Sequence, residues 1–144
     1  MYSFLLHAHS GIRSLLLLLL VVVIVKATIG LATRAKFTSL DNRLSLWLLI
    51  TTHIQLLLGF VLYFVSPNVQ FSAAAMHDKY LRYWTAEHLV GMIGAIALIT
   101  IARVMLRRLP LDSQKFAVLC GMNTAALVII ILMISLSGRM IFGG

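Results

Sequence analysis

Long apolar runs without alternation set the pattern of this chain. From Leu44 to His77 there is no Lys, Arg, Asp or Glu, and from Phe116 to Gly138 there is none either. Each run exceeds the roughly 20 residues that a helix needs to cross a hydrocarbon core of about 30 Å. Two further apolar stretches cover 15–25 and 89–102. Arg13 and Lys26 flank the first, and Glu87 and His88 stand just before the second. Long cationic side chains snorkel to the interface, so both stretches extend into full spans. The pattern predicts four helices, over 2–33, 40–65, 79–108 and 113–137. Ser39 with Asp41 opens the second helix. Ser66-Pro67-Asn68 closes it, because proline removes a donor and pushes Ser66 out of the helical region. Leu109-Pro110-Leu111-Asp112-Ser113 forms the connection to the last helix, with Asp112 or Ser113 as its cap. In lipid every backbone amide must be paired internally, and runs without period-two alternation favour helices over barrel strands. The expected fold is all-α: one integral membrane four-helix bundle over residues 1–144, up-down-up-down, without internal repeat or linker.

Composition agrees with that pattern. Hydrophobic residues make up 61% of the 144 positions and charged residues only 11%, against about 25% charged in a soluble domain. Too few polar side chains remain to cover a soluble globule, which also excludes a disordered tail and a secreted disulfide scaffold. A single cysteine, Cys120, cannot form an intrachain bridge. The run over 15–25 has the length of a signal-peptide core, but Lys26 interrupts it before any cleavage site. The expectation is therefore an uncleaved span.

Charge placement sets orientation. The first loop carries Arg34, Lys36 and Arg43, and the third connection carries Arg103, Arg107, Arg108 and Lys115. The second loop has only Lys79 and Arg82, offset by Asp78. By the positive-inside rule, loops one and three are cytoplasmic and both termini lie on the other side. The formal charge of +8 sits at helix ends, where topology and contact with anionic membrane lipid explain it. No nucleic-acid partner is expected.

Five histidines remain to be placed: His7, His9, His53, His77 and His88. His77 falls in the second loop, solvated beside Asp78 and Lys79. An ionisable residue inside a span is costly and marks a functional site by default. Neutral imidazole is also the commonest metal and haem ligand. At 1.5 Å per residue, His88 lies about 6–12 Å below the outer boundary, level with His7 or His9, and His53 lies roughly 10 Å deeper. His7 and His9 are two apart, about 200° around a helix, so only one of them faces the bundle centre. Arg13, one turn below His9, is placed to pair with a haem propionate. Gly59, Gly91 and Gly94 leave room for a flat ring, or simply for close helix packing. Tyr80, Tyr83 and Trp84 group at the outer end of helix three, where interfacial belts also occur. His53, with Thr51, Thr52 and Gln55, fits a ligand or an interhelical hydrogen-bond cluster equally. Glu87 at the membrane edge is suited to relay a proton from a quinol. There is no CxxC, no HExxH and no glycine-rich phosphate loop. Met92 near His88 leaves a His/Met copper site open.

Three stretches carry a resemblance: His7-Ala8-His9-Ser10-Gly11-Ile12-Arg13, the run from His53 to Gly59 closing at Leu62-Tyr63-Phe64-Val65-Ser66-Pro67, and Glu87-His88. Together they resemble small bacterial four-helix membrane proteins described as cytochrome b-like. The resemblance implies a b-type haem held by histidines in the bacterial cytoplasmic (inner) membrane, multi-pass. Di-haem membrane cytochromes place paired histidines on each of two helices, and helix four here has none. One haem, or a different metal site, is therefore expected rather than two stacked haems.

The first functional expectation is a membrane b-type cytochrome, with His88 and His7 or His9 as axial ligands and His53 as the alternative. It would carry single electrons, with a quinol or a redox protein as partner. The second is copper or another transition metal bound by His7, His9, His53 and His88. The third is a cofactor-free packing subunit of a larger respiratory complex. Small residues at Gly91, Ala95, Gly121 and Ala125 provide a homodimer face.

Overall fold

The structure, a computed structural model, describes residues 1–141. Among them it is helical without strands, in the order α1 (Tyr2–Thr33), α2 (Ser39–Val65), α3 (Ala73–His77), α4 (Lys79–Arg82), a π-helical turn (Tyr83–Glu87), α5 (His88–Met105) and α6 (Asp112–Ser137). The stretch Lys79–Met105 runs on as one long helix, and with α1, α2 and α6 it gives four helices long and apolar enough to cross a membrane.

Helix ends follow local chemistry. α1 stops where Arg34 turns left-handed (φ 53°, ψ 39°) and its N–H returns to the Gly30 carbonyl. α2 starts with a reciprocal box. The Thr38 hydroxyl accepts from the Asp41 N–H at 3.4 Å, and the Asp41 carboxylate accepts from the Thr38 N–H at 2.9 Å. The cap is thus Thr38, one residue before the expected Ser39, because Asp41 has to stand three residues after it. Lys26 of α1 lies 3.4 Å from the same carboxylate. The third span ends at Met105 rather than 108. Arg107 and Arg108 form a tight turn back to Val104 and Met105, since the residue before Pro110 cannot stay helical. Asp112 is the first residue of α6 and Leu111 its cap; the Gln114 side chain, not Asp112 or Ser113, accepts the Leu111 N–H at 3.4 Å.

α1 packs against α2 and α6, and α5 packs against α6 and, over a shorter stretch, α2. α1 and α5 therefore lie across from one another. The shared core draws Leu16, Leu17, Leu20, Val23 and Ala27 from α1, Leu48 from α2, Ala95 and Ile99 from α5, and Phe116, Leu119, Ala126, Ile130 and Ile134 from α6. These recur every three or four residues, one face of each helix. The opposite face is equally apolar: Leu15, Leu18, Val21, Val25 and Ile29 of α1 point outward. A helix apolar all round suits lipid on its outer side.

Gly30 permits the close α1–α6 approach, because a Cβ there would meet the Phe116 ring at 2.7 Å. Of the small residues expected to form a homodimer face, Gly91 packs against Met133 and Ala95 is buried in the core. That half of the face is consumed within the chain, while Gly121 and Ala125 are exposed.

Candidate functional site

A π turn precedes His88, and it decides what surrounds this histidine. Five residues along a regular α-helix rotate a side chain by about 140° away from the first. The wider i→i+5 turn removes that offset. Tyr83 and His88 consequently share a face, with ring centroids 5.7 Å apart and the Tyr83 hydroxyl 3.3 Å from His88 Nδ1. The turn is braced from α2 and the second loop. Tyr63 Oη donates to the Thr85 carbonyl at 2.7 Å, and the Gln70 N–H donates to Thr85 Oγ1 at 3.0 Å.

His88 opens into a cavity of about 120 Å³, room for several waters. α1 contributes His9 and Arg13 to its wall, and α2 contributes Thr52, Gln55 and Gly59. Tyr83, Trp84 and His88 come from the π turn and the start of α5, and Arg139 from the chain just after α6. The rest of the lining is apolar, including Leu16, Leu56, Met92, Ile96, Ile99, Ile130 and Ile134. A second cavity of about 70 Å³ shares His9, Gly59, Tyr63, Trp84, His88 and Arg139 with the first, and adds Tyr2, Ser66, Asn68 and Val69. The two form an apolar chamber and a more polar vestibule, with both histidines on the walls of each.

Arg139 reaches the site because Gly138 adopts φ 70° after the last turn of α6. Its guanidinium sits 4.6 Å from the Trp84 ring centroid, a cation–π contact. Arg13 donates to the Met140 carbonyl at 3.4 Å. Trp84 also packs on His88, centroids 5.3 Å apart. On the α1 side, Gln55 Nε2 lies 3.1 Å from the His9 carbonyl and 3.3 Å from His9 Nε2. Three buried polar atoms of this wall have no hydrogen-bond partner among the described residues: His9 Nδ1, Gln55 Oε1 and Trp84 Nε1. Gly59 leaves room for the His9 ring, since a Cβ there would stand 3.4 Å from His9 Cε1.

The structure thus brings His9, His88 and Arg13 to one cavity. His7 and His53 do not reach it. His7 is exposed, and His53 lies on the outer face of α2, where Nδ1 donates to the Leu49 carbonyl at 2.9 Å. The turn of α2 that buries Thr51 and Thr52 rotates His53 outward. The four histidines expected to hold copper are therefore not assembled. Among the described residues no three His, Cys, Asp or Glu side chains form a metal-binding group. Glu87 pairs with Arg82, Oε1 to Nε at 2.8 Å. Arg139, and Tyr83 as the partner of His88, were not singled out for the site from sequence. The first follows the helix-ending signal of Gly138; the second depends on a π turn that has no sequence signature.

No family model, curated protein or solved structure matches this chain. What the cavity can hold has to be read from its own residues.

Proposed function

We propose that this chain is a small multi-pass b-type cytochrome of the bacterial cytoplasmic membrane, binding one haem in the His9–His88 cavity. The observation that carries the reading is the convergence of two histidines, from helices lying across from each other, on a cavity with apolar walls and two arginines. Haem asks for that combination: an imidazole for the iron, apolar side chains for the macrocycle and cations for its propionates. Its ring is larger than the cavity of about 120 Å³, and seating it would require α2 and α5, which touch over only a short stretch, to part. His88 is the ligand whose ring is fixed best, by Tyr83 on one nitrogen and Trp84 on its face. Arg13 and Arg139 would take the propionates. Leu56, Met92, Ile96 and Ile130 would pack on the ring. The unpartnered Trp84 Nε1 and His9 Nδ1 also favour a ligand with polar edges, because a buried donor left unpaired costs about 1–3 kcal/mol.

Such a haem supplies reversible one-electron redox chemistry. The chain's part is to bind and orient it, to exclude water with the apolar wall, and to set its potential through ligation and burial. The membrane arrangement that suits this reading is an up-down-up-down bundle, with both termini and the His9–His88 end on the non-cytoplasmic side. A quinol or a periplasmic redox protein would exchange electrons there.

The test is a reduced-minus-oxidised visible spectrum of the full-length protein, purified after expression with ample haem. One haem per chain is expected, and His88→Ala should remove at least 90% of it. Haem-free protein would overturn the proposal.

A further inference from the structure

The two histidines of the cavity are not equivalent, and hydrogen-bond accounting separates them. The Tyr83 hydroxyl has one proton, and it donates that proton to the Met133 carbonyl. A carbonyl only accepts, so Tyr83 Oη must accept from His88 Nδ1–H at 3.3 Å. This fixes the His88 tautomer and leaves Nε2 with its lone pair for a metal.

His9 is committed differently. The end of the Gln55 side chain that faces the His9 carbonyl at 3.1 Å has to be its NH₂. The same NH₂ lies 3.3 Å from His9 Nε2, which therefore accepts its second proton. The lone pair of His9 is thus occupied, and Nδ1 carries hydrogen. That Nδ1–H is buried on the cavity wall without a partner among the described residues. An imidazole with its lone pair covered and its free nitrogen protonated is a hydrogen-bond donor, not a metal ligand.

Building on the haem reading above, we propose that His88 alone among the protein's side chains would hold the haem iron, and that the site would also take a neutral diatomic gas, to which His9 would donate a hydrogen bond. The site is then a gas-binding one as well as an electron carrier. Gln55 is its positioning residue: it holds His9 by two hydrogen bonds and keeps Nε2 off the iron.

Carbon monoxide is the probe, added to dithionite-reduced full-length protein carrying haem. The ferrous form should be five-coordinate and high-spin, and should convert to a carbonyl complex with a sharp Soret shift. His9→Leu should raise the C–O stretching frequency, because a donor to the bound gas is lost. Gln55→Ala should free His9 Nε2, giving a six-coordinate low-spin ferrous spectrum and at least tenfold weaker carbon monoxide binding. A wild-type ferrous spectrum that is already six-coordinate and unmoved by carbon monoxide would overturn this inference and leave the cytochrome reading standing. Absence of haem would overturn both.

Discussion

Asn123 shows at the residue scale how a polar group can be present without a task in the site. It is 1% exposed, in the middle of α6, and neither its Oδ1 nor its Nδ2 has a partner among the described residues. It is two turns from Ile130 on the same face but does not line either cavity at the His9–His88 end. An unpaired buried amide is a cost, and an apolar side chain of the same size removes it. Asn123→Leu should stabilise the protein by about 1–2 kcal/mol, read as a higher melting temperature in detergent. A fall would show that an ordered water or ion satisfies the amide. The histidines teach the reverse lesson about sequence. The expense of a titratable group in lipid singled out His88, which the structure places on the cavity wall. Spacing correctly required His7 and His9 to face apart, but not which one faces in, because the rotation of α1 is set by how Leu16, Leu20 and Val23 pack against the other helices. His53 misled for the same reason. Its depth is visible in the sequence, whereas the face it occupies depends on Thr52, wholly buried, being the residue that α2 turns inward.

At the scale of elements, the spans were legible because two are long runs without charge and the other two have apolar centres with charges only toward their ends, and their ends shifted by a few residues because caps are set by local neighbours. The start of α2 is the clearest case. Asp41 closes the box with Thr38 and also meets Lys26 of α1, so one carboxylate ends a loop and ties two helices. Asp41→Ala should destabilise the fold by about 1–2 kcal/mol, mostly through the lost cap, since Lys26 remains partly solvated and exposed pairs contribute little. Unfolding in a graded mixture of mild and denaturing detergent measures the change. A shift below 0.5 kcal/mol, roughly the floor for a lost cap, would mean that Thr38 alone holds the helix start. The π turn was illegible. Tyr83-Trp84-Thr85-Ala86-Glu87 reads as ordinary helix, and its extra residue is tolerated because Tyr63 and Gln70 satisfy Thr85 from outside the helix. A local rule is broken where His88 is turned toward the cavity, and the compensation lies twenty-two residues away in sequence at Tyr63.

Across the whole molecule, contacts divide the polar residues between two ends. At one end Arg103 of α5 donates to Asn42 Oδ1 of α2 at 2.6 Å, Phe37 packs on Phe116 at 5.4 Å, and Lys115 lies over the Phe37 ring. The first and third connections therefore share an end, and it is the end that carries Arg34, Lys36, Arg43, Arg107 and Arg108. At the other end His9, Tyr63, Thr85 and Arg139 gather around the cavities with the lightly charged second loop. The orientation proposed above, by the positive-inside rule, puts the basic end in the cytoplasm. In a Cys120→Ser background, Gln70→Cys in bacterial spheroplasts should react with a membrane-impermeant maleimide, and Lys36→Cys should react only after lysis. The opposite pattern would place the cavities on the cytoplasmic face and exclude a periplasmic electron donor. The placement matters for the chemistry, because a haem near the outer surface would exchange electrons with partners on that side, and the roughly 21 Å of α6 between Ile130 and Phe116 would separate it from the opposite end.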